Sequence, residues 1–146
     1  MDARPVISER AMRAVLVVLG VLNAASGALA LVAPGTFFDE IGRYGVENEH
    51  YVGDVGAFVL AFGIAVLVAA QRPSWRVPVL ALGAIWYGLH ALNHAFDVDE
   101  ARSDARGIVD TIYIGIGALL FVYLAWAAAR LHALAAASPD RKEDPS

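Results

Sequence analysis

Four long apolar segments dominate this chain of 146 residues, at about positions 12–33, 52–70, 77–96 and 107–130. The hydrocarbon core of a bilayer is about 30 Å thick, and an α-helix needs roughly 20 residues to cross it. Each apolar segment is about that long, and the mean hydropathy of the whole chain is +0.55. The sequence therefore predicts an all-α fold, a four-helix transmembrane bundle that occupies residues 12–134.

The overall composition supports a membrane protein and excludes several functional classes. The chain is 58% hydrophobic and 18% charged, whereas soluble domains are roughly 45–50% apolar and about 25% charged. It contains no cysteine, which excludes disulfides, thiolate catalysis, cysteine-ligated zinc and iron–sulfur clusters. The formal net charge of −4 argues against nucleic acid as a partner, because nucleic acid selects clustered lysine and arginine.

The segments that flank and connect the apolar blocks are polar. Residues 1–11 are predicted to form a short cytoplasmic tail, and residues 135–146 a disordered cytoplasmic tail. Between Pro34 and Gly53, aromatic residues alternate with charged ones at helical spacing, which predicts a short helix lying in the membrane interface. An alternative interpretation makes the first block a cleaved signal peptide with a small-residue site at residues 28–30, although its apolar run continues to Ala33.

The positions of lysine and arginine predict the orientation of the spans. Cytoplasmic flanks of membrane helices carry an excess of these residues. With the N-terminus inside, three cations lie on the outer side (Arg43, Arg102 and Arg106) and eight on the cytoplasmic side (Arg4, Arg10, Arg13, Arg72, Arg76, Arg130, Arg141 and Lys142). This bias predicts that both termini are cytoplasmic. Because arginine greatly outnumbers lysine, as in proteins from GC-rich bacterial genomes, the expected location is a bacterial plasma membrane.

Small residues recur every four positions in two of the apolar segments. Such stripes let membrane helices approach each other closely. The sequence predicts that both stripes face neighbouring helices. The first stripe contains Gly20, Ala24 and Ala28, and the second contains Ala57, Ala61, Ala65 and Ala69.

Ionisable side chains converge at the outer end of the third segment. Tyr87, His90, His94 and Asp97 are three or four residues apart, so they share one helical face. Ionisable groups inside a membrane segment are functional hypotheses by default, because they are costly to bury. Asp54 and Asp110 open the second and fourth segments from the same side. The sequence thus predicts an outer-leaflet pocket lined by Asp54, Tyr87, His90, His94 and Asp110.

Three interpretations of this pocket remain open. The leading one is a metal-free site for a quinone or lipid-like ligand, held by histidine and aspartate hydrogen bonds. In the second, His90, His94 and Asp54 bind a metal, since imidazole with carboxylate suits zinc, iron, copper or manganese; the glutamate of the zinc-protease motif is absent. In the third, the chain is a structural or assembly subunit whose polar residues fix helix packing. A homo-oligomer or a membrane partner subunit is compatible with all three.

Two motifs carry a resemblance to known proteins. The run from Gly53 to Gly63, GDVGAFVLAFG, precedes the run from His90 to Asp97, HALNHAFD. Together they resemble small four-helix actinobacterial membrane proteins that are similar in layout to the DoxX-like group. The resemblance covers about residues 12–130 and implies corresponding roles for Asp54, His90 and His94. It also implies a connection to membrane redox chemistry such as thiosulfate–quinone electron transfer, but no sulfur-substrate motif is present.

Overall fold

The computed structural model describes residues 6–137, and its regular elements over that range are helices joined by short connections. The helices are α1 (Glu9–Val32), α2 (Pro34–Glu40), α3 (Glu49–Gln71), α4 (Pro73–Phe96) and α5 (Asp104–Ala137), with a single 3-10 turn at Val98–Glu100. One isolated antiparallel bridge pairs Tyr44 with Ala101. The predicted all-α fold is confirmed for this part of the chain.

Within the described residues, three helices, α1, α3 and α5, are both long enough and apolar enough to cross a membrane. Helix α4 has 24 residues, the same length as α1. It differs from α1 because Arg76, His90, Asn93 and His94 interrupt its apolar sequence. The membrane character predicted from the sequence is thus present in three helices.

Local signals at the helix ends explain where the helices start. The hydroxyl of Ser8 accepts a hydrogen bond from the backbone N–H of Ala11, and the side chain of Asn48 accepts one from Tyr51. Both bonds satisfy an N–H group that the first turn leaves unpaired. Helix α1 therefore starts inside the predicted N-terminal tail. At the other end of the chain, α5 continues to Ala137, and the remainder of the predicted C-terminal tail lies outside the described residues.

Helices α1 and α3 pack with their backbones in direct contact. A Cβ atom placed on Gly27 would collide with the backbone nitrogen of Leu60 and lie 2.7 Å from the Gly56 carbonyl oxygen. A Cβ atom on Gly63 would likewise collide with the backbone of Ala24. Only glycine permits this approach, which is the way membrane helices associate without a hydrophobic driving force.

The two small-residue stripes differ in how well they predict this contact. Ala24 of the first stripe does face α3. In the second stripe, Ala57 and Ala61 are exposed, so that prediction was wrong for its first half. Gly56 and Gly63, seven residues apart, form the contact instead, because a period of seven follows one helical face better than a period of four.

The apolar core draws side chains from all four long helices. Its largest fully buried members are Phe121, Met12, Leu16, Leu80, Leu124 and Val66. Helix α4 packs along α5, where Phe121 fills the space above Gly83. Helix α4 is therefore part of the same bundle as α1, α3 and α5.

A buried arginine connects three helices at the end where α4 begins. The sequence counts Arg76 among the cytoplasmic cations that flank the spans, but α4 begins at Pro73 and the Arg76 residue is only 3% exposed. Its two terminal nitrogens donate to the Glu9 carboxylate of α1 at 2.7 and 2.5 Å, and its Nε donates to the Ala69 carbonyl of α3 at 3.2 Å. A bidentate pair of this kind is among the stronger interactions of side chains.

The glycine contact generates a test with a matched control. We expect Gly27→Ala to lower the free energy of unfolding by about 1–3 kcal/mol, because the new methyl group must push α1 away from α3. Gly115→Ala serves as the control, since a Cβ there meets no atom within 4 Å. That change should be neutral or stabilise the helix by about 0.5–1 kcal/mol. Thermal unfolding in detergent measures both, and equal effects would contradict the proposed contact.

Candidate functional site

Two histidines near the end of α4 form a row of three contacting rings with a tryptophan. The Trp86 and His90 rings are parallel, with centroids 5.3 Å apart. The His90 and His94 rings meet edge to face at 4.6 Å. Positions 86, 90 and 94 are four residues apart, so the α-helix itself aligns the three rings along one face.

The loop between α2 and α3 covers the His94 ring at the end of this row. Tyr44 lies edge to face against His94, with ring centroids 4.2 Å apart. Its hydroxyl donates a long hydrogen bond of 3.5 Å to the Gly107 carbonyl of α5. Burial, with a smaller contribution from the Asp110 carboxylate, raises the pKa of the Tyr44 hydroxyl above its usual value. Tyr44 therefore remains protonated and able to donate.

His94 retains unused hydrogen-bonding capacity. Its Nδ1 atom is buried and has no hydrogen-bond partner among the described residues. Buried polar atoms of side chains are usually paired, and an unpaired one calls for an explanation. We call His90, His94, Trp86 and Tyr44 the ring cluster.

Aromatic contacts continue from the ring cluster into the bundle core. Trp86 meets Phe58 of α3 with centroids 4.5 Å apart. Further contacts of 6.5, 5.5 and 5.0 Å lead in turn to Phe62, Phe121 and Tyr87. The histidines are thus held by rigid aromatic packing, which fixes their orientation.

The face predicted to carry Tyr87, His90, His94 and Asp97 is divided in the structure. Tyr87 turns toward α1, where its hydroxyl donates to the Asn23 side-chain oxygen at 3.0 Å. Asn23 is 6% exposed and donates in turn to the Leu19 carbonyl at 2.9 Å. Asp97 accepts a hydrogen bond from Asn93 on its own helix at 3.1 Å. Residues three apart on a helix diverge by about 60°, enough to separate Tyr87 from His90.

The two aspartates of the predicted pocket have different surroundings. The Asp54 side chain is 67% exposed and lies 3.7 Å from the even more exposed side chain of His50. It contacts neither His90 nor His94 by a hydrogen bond in the described part of the chain. The Asp110 side chain is 18% exposed and accepts a hydrogen bond from Arg106 at 2.9 Å. The structure thus brings His90 and His94 together and leaves Asp54 apart from them.

The metal-binding alternative depends on a third ligand. Within residues 6–137, no group of three or more His, Asp or Glu side chains is arranged to hold a metal ion. His90 and His94 are the pair that could start such a site, but their rings stand edge to face and the Asp54 carboxylate points elsewhere. The metal-binding interpretation thus lacks a third ligand among residues 6–137.

A second polar feature lies beside the ring cluster. A cavity of about 260 Å³ opens between the α2–α3 connection and the start of α5. We call it the arginine pocket; its lining residues are Glu40, Ile41, Arg43, Arg102, Ser103, Arg106 and Asp110. Sequence reasoning placed its three arginines on one side of the membrane but could not bring them together. Tyr44 and Trp86 were also missed as site residues, although the spacing of Trp86, His90 and His94 was a usable signal.

The Tyr87–Asn23 hydrogen bond can be tested by a double-mutant cycle. We expect Tyr87→Phe and Asn23→Ala each to destabilise the protein, with a coupling free energy of about 1 kcal/mol, because each change leaves a buried partner unpaired. Tyr113→Phe is the control, since the Tyr113 residue is 74% exposed. Unfolding in detergent reports all variants. A coupling near zero, or an equal loss from Tyr113→Phe, would contradict the bond.

Comparisons with known proteins add no family to this description. No family model, curated protein or solved structure matches the chain. The resemblance of residues 53–63 and 90–97 to DoxX-like proteins therefore stays a prediction. The functional argument depends on the ring cluster and the arginine pocket themselves.

Proposed function

We propose that the chain is a multi-pass protein of the bacterial plasma membrane with four spans and cytoplasmic termini. The three apolar helices support this assignment. Helix α4 shares the buried core with them, and a single residue, Arg72, separates it from α3. Its 24 residues extend about 36 Å, enough to cross the bilayer. The ring cluster and the arginine pocket then lie toward the outer surface.

Cysteine labelling tests this orientation without interference, because the natural chain has no cysteine. Val46, in the α2–α3 loop, is 92% exposed and can be replaced by cysteine (Val46→Cys). We expect a membrane-impermeant maleimide to label it in intact cells. Ser74→Cys, at the exposed start of α4, should react only after permeabilisation. The reverse pattern would contradict the orientation and place the ring cluster on the cytoplasmic side.

We further propose that the ring cluster binds a quinone or a lipid-like ligand with a similar polar head. The observation that carries this proposal is the buried, unpaired Nδ1 of His94 beside the Tyr44 ring. A neutral imidazole offers one donor and one acceptor, and tyrosine offers a hydroxyl. A quinone presents two carbonyl oxygens on a flat ring, so it can accept such bonds while stacking on an aromatic side chain.

The position of the cluster suits a ligand that arrives through the lipid. Leu89 and Leu92, on either side of His90 in the sequence, are 62% and 51% exposed. Membrane-dissolved ligands reach a protein through such apolar surfaces. The predicted ligand residues His90 and His94 are retained in this proposal, with Tyr44 and Trp86 added. Of the other predicted ligand residues, Asp110 lies in the neighbouring arginine pocket, Tyr87 pairs with Asn23, and Asp54 is exposed and apart from the cluster. A redox role would follow the DoxX-like resemblance.

Quenching of tryptophan fluorescence by a short-chain naphthoquinone measures this binding. Trp86 stacks on His90, so a bound quinone should quench its emission, and Trp86→Phe should remove that component. His94→Phe keeps a ring but loses both nitrogens, and we expect affinity to fall about tenfold, the value of one hydrogen bond. His132→Phe, at an exposed site on α5, is the control and should bind as the natural protein does.

A structural role is the second candidate, and one observation favours it. The Tyr87 hydroxyl donates a hydrogen bond to Asn23 and so connects α4 to α1. These two polar groups therefore contribute to helix packing. If neither His94→Phe nor the natural protein binds the quinone, while both fold equally well, the quinone proposal is contradicted and the structural role is favoured.

A further inference from the structure

Charges at the outer end of the bundle are segregated. Ten acidic residues lie there by sequence, yet two of them, Glu40 and Asp110, line the arginine pocket. The three cations of that end, by contrast, all line it: Arg43, Arg102 and Arg106. The pocket lining therefore carries one net positive charge within an acidic surface. Within the described residues, the pocket is therefore a favourable place for an anion.

Each of the three guanidinium groups has nitrogens without a hydrogen-bond partner in residues 6–137. Arg43 is half-buried, and its Nε atom is buried without a hydrogen-bond partner among the described residues. Its terminal nitrogen lies 3.8 Å from Glu40, too far for a hydrogen bond. Arg106 uses its Nε for Asp110 and leaves its terminal nitrogens free of protein partners in residues 6–137. Arg102 is exposed and makes no ion pair within that range.

The backbone adds to the positive character of the pocket. Ser103 lies directly before α5, and its hydroxyl accepts a hydrogen bond from the Arg106 N–H at 3.3 Å. The first turn of a 34-residue helix thus borders the cavity with the positive end of its dipole. This contribution supplements the arginines, which are the primary ligands.

We propose that the arginine pocket binds a phosphate group, carried by the headgroup of an anionic phospholipid. The planar guanidinium group of arginine can donate two parallel hydrogen bonds to phosphate oxygens, and it carries the opposite charge. A cavity of about 260 Å³ accommodates a phosphate with part of its glycerol. Ile41 belongs to the lining, and Ile108, Val109 and Ile112 expose apolar surface within two turns of Arg106, which gives acyl chains a place to lie.

The proposal is independent of quinone binding by the ring cluster. The arginine pocket and the ring cluster share no residue, and Asp110, predicted from the sequence as a ligand residue, belongs to the pocket through its pair with Arg106. A lipid seated there would pin the α2–α3 connection to the start of α5, next to Tyr44. Its headgroup would thus stabilise the contact between these two segments.

Native mass spectrometry of the full chain, released from nanodiscs that contain equal amounts of phosphatidylglycerol and phosphatidylcholine, tests the proposal. We expect phosphatidylglycerol to be retained preferentially. Arg43→Gln/Arg102→Gln should reduce that preference about tenfold, while the Arg106–Asp110 pair remains. Glu40→Gln, at a largely exposed side chain, should strengthen retention about threefold because it removes a competing carboxylate. A gain of binding of this kind cannot result from misfolding.

The controls separate the pocket from general charge effects. Arg10→Gln/Arg72→Gln removes two exposed arginines at the opposite end and should leave the preference within twofold of the natural value. Inorganic phosphate added in detergent identifies the source: if it binds with the same dependence on Arg43 and Arg102 and no lipid is selected, the site takes free phosphate. Equal retention of both lipids together with no phosphate binding would overturn the proposal, as would equal losses from the two double variants.

Discussion

The contact between the α1 and α3 backbones is the constraint on which the bundle depends. In lipid, an exposed leucine gains little by turning inward, so helices associate through close packing and hydrogen bonds. Gly27, Gly56 and Gly63 remove the side chains that would hold these two backbones apart. Phe62 of α3 meets Phe121 of α5 in the core that these helices share with α4.

The two ends of the bundle differ in whether their buried polar groups have hydrogen-bond partners. At the start of α4, Arg76 meets a carboxylate and a carbonyl, so its charge is fully paired and joins α1, α3 and α4. At the other end, His94 and Arg43 each keep a buried nitrogen without a partner in the described residues. The ring cluster and the arginine pocket lie at the end that holds these two unpaired nitrogens.

Parts of the site followed from sequence spacing and parts did not. His90 and His94 are together because four residues make about one helical turn, a relation that holds in any helix. Asp54 belongs to a different helix, and its position relative to His90 depends on how α3 rotates about its own axis. The glycine contact sets that rotation, and it turns Asp54 outward. A shift of one residue, from Ala57 to Gly56, was enough to change the predicted face.

The sequence by itself determined the helices, their approximate ends and the apolar character of three of them, because hydrophobic periodicity and capping residues act over a few neighbouring positions. Tertiary structure decided which polar groups meet. Tyr44 reaches His94, Tyr87 turns to Asn23, and three distant arginines surround one cavity. These encounters join residues far apart in the chain. They depend on helix rotation and loop path, which are fixed only when the whole bundle has packed.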